Sequence, residues 1–185
     1  MVATDNKDWS VYAAHRCGQC GLDASAPGRA EVVPMTLDTV SRWAMLLREG
    51  SINDLRVRPA PHVWSTLEYG AHVRDMIRLF TDRIARILVA DSPAFPAWDQ
   101  EAAAIAARYN EQEPAIVAEE ASADADRLAR IVGGMDTGGW ERSGTRDGRE
   151  FTVEYLLRYL LHDIAHHWHD VTEPRFADRT SAGLV

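Results

Sequence analysis

A capping box followed by a long apolar stripe at helical spacing most constrains what this chain can fold into. In Ser65-Thr66-Leu67-Glu68 the serine oxygen and the glutamate can satisfy orphan backbone donors of a helix start reciprocally. Tyr69, Val73, Met76, Ile77, Phe80, Ile84 and Leu88 then recur with a period near 3.6, which predicts a helix from Ser65 to about Ala90. Three further helical stretches carry similar patterns. One runs from Leu37 to Glu49, with Thr36 as N-cap and Gly50 at the C′ position. Another runs from Pro114 to Ile131, with a shorter helix, Asp99 to Asn110, before it. The last starts near Thr152.

Four long helices predict an all-α four-helix bundle. The connections Gly50–Trp64 and Asp91–Glu113 are too long for a simple up-down meander and predict crossovers. Before the last helix, WERSGTRDGREFT holds an Asp-Gly turn between short extended pieces and predicts a small hairpin. The expected organisation is a CxxC-containing head segment over residues 1–34, a helical bundle over 35–175 and a tail over 176–185. A length of 185 residues suffices for one real core. The net charge of −8 repels phosphate backbones and anionic lipid, so nucleic acid and membrane surfaces are not expected partners. No apolar run approaches the ~20 residues of a bilayer span, and the N-terminus shows no signal-peptide pattern. The protein is expected to be cytoplasmic, where its two cysteines suit metal or redox chemistry better than a structural disulfide.

The chemistry concentrates in LLHDIAHHWHDV, where His162, His166, His167 and His169 alternate with Asp163 and Asp170. Leu157, Leu160, Ile164, Trp168 and Val171 define the buried side of this helix. A helical wheel puts Asp163 and His167 at the border of the core. His162, His166 and His169 fall farther round, beside Tyr155 and Arg158, facing solvent or the head segment. A bordering Asp/His pair needs a partner, and His72, at the edge of the stripe on another helix, completes a three-ligand metal site with open positions. Asp75 is placed to orient a ligand. The competing reading is a solvated histidine face with no metal.

Trp64-Ser65 opening a helix, then His72, then a histidine doublet near the end of the last helix, resembles the DinB-like superfamily of four-helix metalloproteins. This superfamily includes the N-terminal domain of mycothiol-dependent maleylpyruvate isomerase. The resemblance is closest to a group with a CxxCG head, WSxLEYxxHVRD and LLHDxxHHxHDV, and it spans Leu37 to Val171. It implies a divalent metal, Zn²⁺ or Ni²⁺, on His72, Asp163 and His167. Asp163 departs from the His or Glu usual at its position. The resemblance also implies a homodimer, a small-molecule substrate and a low-molecular-weight thiol such as mycothiol as cosubstrate in S-transfer. The same metal could instead ionise water for hydrolysis. The alternative is a non-catalytic metal-binding bundle serving as a ligand-binding or stress-response protein.

Cys17-Gly-Gln-Cys20-Gly has the form of half a zinc knuckle. His162 and His166 are candidates for the other two ligands, with His15 and His169 as substitutes; an unligated reduced pair is the alternative. Trp64, Trp98 and Trp140 read as packing residues. Tyr155, Arg158 and Tyr159 read either as the mouth of a metal pocket that binds an anion or as a solvated helix face.

Overall fold

The computed structural model describes residues 8–172, so the expected tail at 176–185 lies outside the described residues. Four long helices form the bundle: α1 (Arg29–Glu49), α3 (Thr66–Val89), α5 (Pro114–Gly133) and α6 (Val153–Thr172). Two short ones, α2 (Ile52–Leu55) and α4 (Gln100–Ala106), sit in the connections. Both α1 and α3 pack against α5 and α6, while α1 and α3 barely touch each other. The pair α1 and α3 is therefore diagonal in the bundle, and the Gly50–Trp64 link between them is the expected crossover; α3 and α5 are neighbours, so the long Asp91–Glu113 link is not a crossover.

Helix α3 begins as its sequence predicts. Ser65 Oγ accepts from the Glu68 amide at 3.2 Å, and Glu68 Oε2 accepts from the Ser65 amide at 2.8 Å. Glu68 is also gripped by the Arg58 guanidinium, whose Nε lies 2.8 Å from Oε2. Helix α1 starts at Arg29, inside the stretch read as head, and passes through Pro34. Thr36 is not its N-cap; its hydroxyl donates back to the Val32 carbonyl at 2.9 Å. Burial of Val32 in the core outweighs the one hydrogen bond that Pro34 removes early in the helix. Alanines at 118, 121 and 125 are buried and let α5 sit close between α1 and α3. Its acidic side is only partly solvated, since Asp124 accepts from Arg78 Nε at 2.9 Å.

The hairpin pairs β1 (Ser143–Arg146) with β2 (Arg149–Thr152), antiparallel. Asp147 and Gly148 both have positive φ, 52° and 74°, as a two-residue I′ turn requires. Val153 follows directly, so the hairpin feeds into α6.

The head lies along α6. Trp9–Ala13 forms a 3-10 helix capped by Asp8, whose Oδ1 accepts from the Ser10 amide at 3.1 Å. Tyr155 Oη donates to Ser10 O at 2.7 Å, and Arg158 Nη1 donates to the carbonyls of Ala24 and Pro27 at 2.7 and 3.0 Å. The face carrying Tyr155 and Arg158 is thus a docking strip for the head. No helix among the described residues is long and apolar enough to cross a membrane.

Candidate metal centres

Two groups of side chains meet on either side of α6. The first lies under the head. Cys17, Cys20, His162 and His166 each offer a ligand atom, and these atoms all lie within 4.8 Å of one another. The cysteines are placed by a tight turn in which the Gly21 amide donates to Cys17 O at 3.0 Å and the Cys17 amide to Leu22 O at 2.8 Å. Gly21 takes the left-handed φ of 76° that this turn needs. The histidines are four apart and share one face of α6. Of the two faces the wheel left open to them, solvent or head, it is the head that covers them; His162 and His166 are 0% and 4% exposed. Tyr12 stacks on His162 with ring centroids 4.8 Å apart, and Trp9 lies 4.5 Å from His166.

Cys17 Sγ is 3.7 Å from His166 Nδ1. His162 turns Nδ1 to Asp163 Oδ1 at 3.2 Å; its buried Nε2 has no hydrogen-bond partner of normal geometry, and its neighbours are the two thiols. Burial disfavours the charged form of His162, but the hydrogen bond to Asp163 and the pull of the neighbouring thiols outweigh it and push the group up to about 10. Burial pushes His166 the other way, down to about 4, against the pull of Asp170. Burial also acts to raise the Cys17 thiol, but the backbone amide of Cys20 and His162 prevail and bring it down to about 7. His15 is exposed on the head, and His169 is half-buried, 6.4 Å ring to ring from His166.

The second group lies on the core side. His72 is 1% exposed, and its Nδ1 is buried with no hydrogen-bond partner among the described residues. Its ring is 5.0 Å from that of His167, nearly edge-on, and Trp98 stacks flat on it. Burial, reinforced by His167, holds His72 well below the usual imidazole range, so it stays neutral with a lone pair available. His72 and Asp163 line a small cavity of about 90 Å³ with Tyr159, Arg83, Arg146 and Trp98. Asp163 is 8% exposed, and burial raises its carboxyl. His167 is half-buried, outside the cavity lining, and places Nδ1 3.4 Å from Asp170 Oδ2. The structure therefore brings His72 to His167 and, separately, His72 to the wall that holds Asp163.

Asp75 does not orient His72; it accepts from Tyr109 Oη at 2.5 Å and Arg74 Nε at 2.8 Å. Of the three residues read as a pocket mouth, only Tyr159 reaches the cavity. Arg83 and Arg146 were missed, because one sits inside an apolar helix stripe and the other in the hairpin. Arg83 is 5% exposed, and burial together with the neighbouring Arg146 charge brings it down to about 10.

A model of the DinB superfamily matches residues 36–171, most of the chain. The chain belongs to the DinB superfamily. This DinB chain also shares its fold with YfiT from Bacillus subtilis, described as a probable metal-dependent hydrolase with an unusual four-helix bundle topology. The two match with a TM-score of 0.70 at 12% identity, over 85% of this chain and 90% of YfiT. No curated protein matches the chain.

Proposed function

We propose that the cavity on the core side of α6 is the reaction chamber of a divalent-metal-dependent enzyme, with His72, Asp163 and His167 as the metal ligands. The observation that carries this reading is the buried, partnerless Nδ1 of His72, a residue that lines one cavity together with Asp163. A buried polar atom without a partner costs about 1–3 kcal/mol, and a cation is the partner that a neutral imidazole and a carboxylate select together. Zinc or nickel bound there would act as a Lewis acid that lowers the pKa of a bound water or thiol.

The chain's own groups suggest the rest. Arg83 and Arg146 give the cavity a positive wall suited to an anionic small molecule such as a carboxylate. Burial raises the Tyr159 phenol, so it stays protonated and can donate a hydrogen bond to that substrate. Trp98 shields His72 from bulk water. The description of YfiT favours water as nucleophile; the resemblance to thiol-dependent relatives favours S-transfer from a low-molecular-weight thiol such as mycothiol. A homodimer in the cytoplasm belongs to the same reading, by analogy with the family.

The small volume and the aromatic cover over His72 favour a second reading, a non-catalytic metal-binding bundle that holds a ligand or responds to stress. One experiment separates the two. Tag-free protein is loaded with zinc or nickel, metal per chain is measured for wild type and His72→Ala, and hydrolysis and thiol transfer are assayed over a panel of anionic substrates. The enzyme reading expects His72→Ala to lose one metal and all turnover. Metal loss with no turnover in the wild type supports the binding module. A wild type whose metal content His72→Ala leaves unchanged overturns the site.

A further inference from the structure

We propose that Cys17, Cys20, His162 and His166 hold one zinc ion in a closed structural site that fastens the head to α6 and is joined to the His72 cavity through Asp163. This site stands independently of the reading of that cavity.

Ligand chemistry comes first. Two thiolates and two imidazoles form a usual tetrahedral zinc set, and C-x₂-C with H-x₃-H is a usual spacing for it. Tetrahedral bonds of about 2.3 Å to sulfur and 2.0–2.1 Å to nitrogen put neighbouring S and N atoms ~3.6 Å apart. Cys17 Sγ and His166 Nδ1 stand at 3.7 Å before any ion is added.

The imidazoles are also oriented as zinc ligands are. Each keeps one nitrogen in the cluster and turns the other to a carboxylate: His162 Nδ1 to Asp163 Oδ1 at 3.2 Å, His166 Nε2 to Asp170 Oδ1 at 3.6 Å. The hydrogen-bonded carboxylate–histidine pair of Asp163 and His162 is the kind that fixes a ligand ring and raises its basicity. The inward nitrogen of His162 is a fully buried atom with no hydrogen-bond partner of normal geometry, which a zinc bond would supply. Trp9 and Tyr12 roof the histidines, and four protein ligands leave no coordination position open, so the site is structural rather than catalytic.

Asp163 makes the link between the two sides of α6. It accepts from His162 under the head, and its residue lines the cavity behind it. Zinc on His162 fixes that imidazole as the Nδ1–H tautomer, whose donor holds Asp163 Oδ1 in place behind the cavity wall. Zinc under the head thus positions a carboxylate on the far side of the helix.

The test uses the full-length chain without a histidine tag, with zinc counted by elemental mass spectrometry and cobalt as the optical probe. Cobalt-loaded wild type should show a thiolate-to-cobalt charge-transfer band, absent from Cys17→Ser/Cys20→Ser and retained in His72→Ala. Asp163→Asn should keep the zinc but bind it about 10–100-fold more weakly in chelator competition. Should the double variant fail to fold, the wild type alone still decides. Zinc should slow modification of both thiols by a disulfide reagent at least tenfold relative to the metal-free protein. A reduced, cobalt-loaded wild type without the band, or thiols equally reactive with and without zinc, overturns the site. Unchanged zinc affinity in Asp163→Asn overturns the link to the cavity.

Discussion

Trp98 lies flat on the imidazole of His72, with ring centroids 5.2 Å apart and planes 5° from parallel. The tryptophan comes from the connection between α3 and α4, so a loop side chain covers a histidine that the bundle buries. Trp98→Ala removes that cover and a stacking interaction of about 0.5–1.5 kcal/mol. The expected result is faster loss of the His72-dependent metal to a chelator, by about tenfold, with the zinc under the head unaffected. Equal rates would show that Trp98 does not gate the site.

Metal-free protein should lose stability in mild acid. His72 and His166 are held below their usual value of 6.5 in the folded chain, the latter at about 4. Below pH 6.5 the unfolded chain takes up protons on these groups that the folded chain refuses, so stability falls from there toward pH 4. Each such proton is worth about 1.4 kcal/mol per pH unit. His162 has the opposite sign. Its raised value of about 10 gives stability that is full below 6.5 and is lost as pH climbs toward 10. The Cys17 thiol, held at about 7, gains stability from pH 7 to 9 and offsets part of that loss, so urea unfolding of chelator-treated protein should show stability highest between about pH 6.5 and 9 and falling on either side. A flat profile from pH 7 to 5 would contradict the burial of both low-pKa imidazoles.

Arg58→Ala should destabilise the start of α3. Glu68 is 3% exposed, caps the Ser65 amide and pairs with Arg58. Removing the guanidinium leaves a buried carboxylate without its charge partner. The Arg58 side chain is 38% exposed, so water offsets part of the loss and the cost should be about 1–3 kcal/mol. Glu68→Gln in the Arg58→Ala background should recover part of it in the same unfolding assay.

Gly144→Ala tests how the hairpin is docked. A Cβ there would stand 2.5 Å from the Phe95 ring and 2.8 Å from Pro93 O. The same junction is held by Phe95 N donating to Thr145 O at 2.8 Å and Thr145 N donating to Pro93 O at 2.9 Å, so the backbone cannot yield freely. Overpacking should cost about 1–3 kcal/mol and shift Arg146 from the cavity wall. In an enzyme with an anionic substrate, KM should rise with metal content unchanged.

Arg83→Met and Arg146→Met address the positive wall directly. Losing one charge-assisted hydrogen bond to a substrate carboxylate is worth about 1.5–3 kcal/mol, a KM increase of roughly ten- to a hundredfold. Bound metal should not change. Unaltered KM for anions in both variants would remove the arginines from the site.

The parts of the fold legible in the sequence are those whose causes lie within a few residues. The Ser65/Glu68 box set the start of α3, Asp147-Gly148 set the hairpin turn, and the apolar stripe of α6 put Asp163 and His167 at the border of the core. Where the cause was distant, local reading stopped. Cys17 and His166 are 149 positions apart, and only the docking of the head decides that His166 is buried and which nitrogen faces the thiol. The stretch up to residue 34 reads locally as head, yet α1 starts at Arg29 and runs through Pro34 with Val32 packed in the core. Arg83 and Arg146 carry no local sign of meeting, because two elements must fold before one cavity exists between them. Hydrogen bonding and capping are written along the chain; the burial of a polar side chain depends on the surface that covers it, and that surface exists only in the tertiary structure.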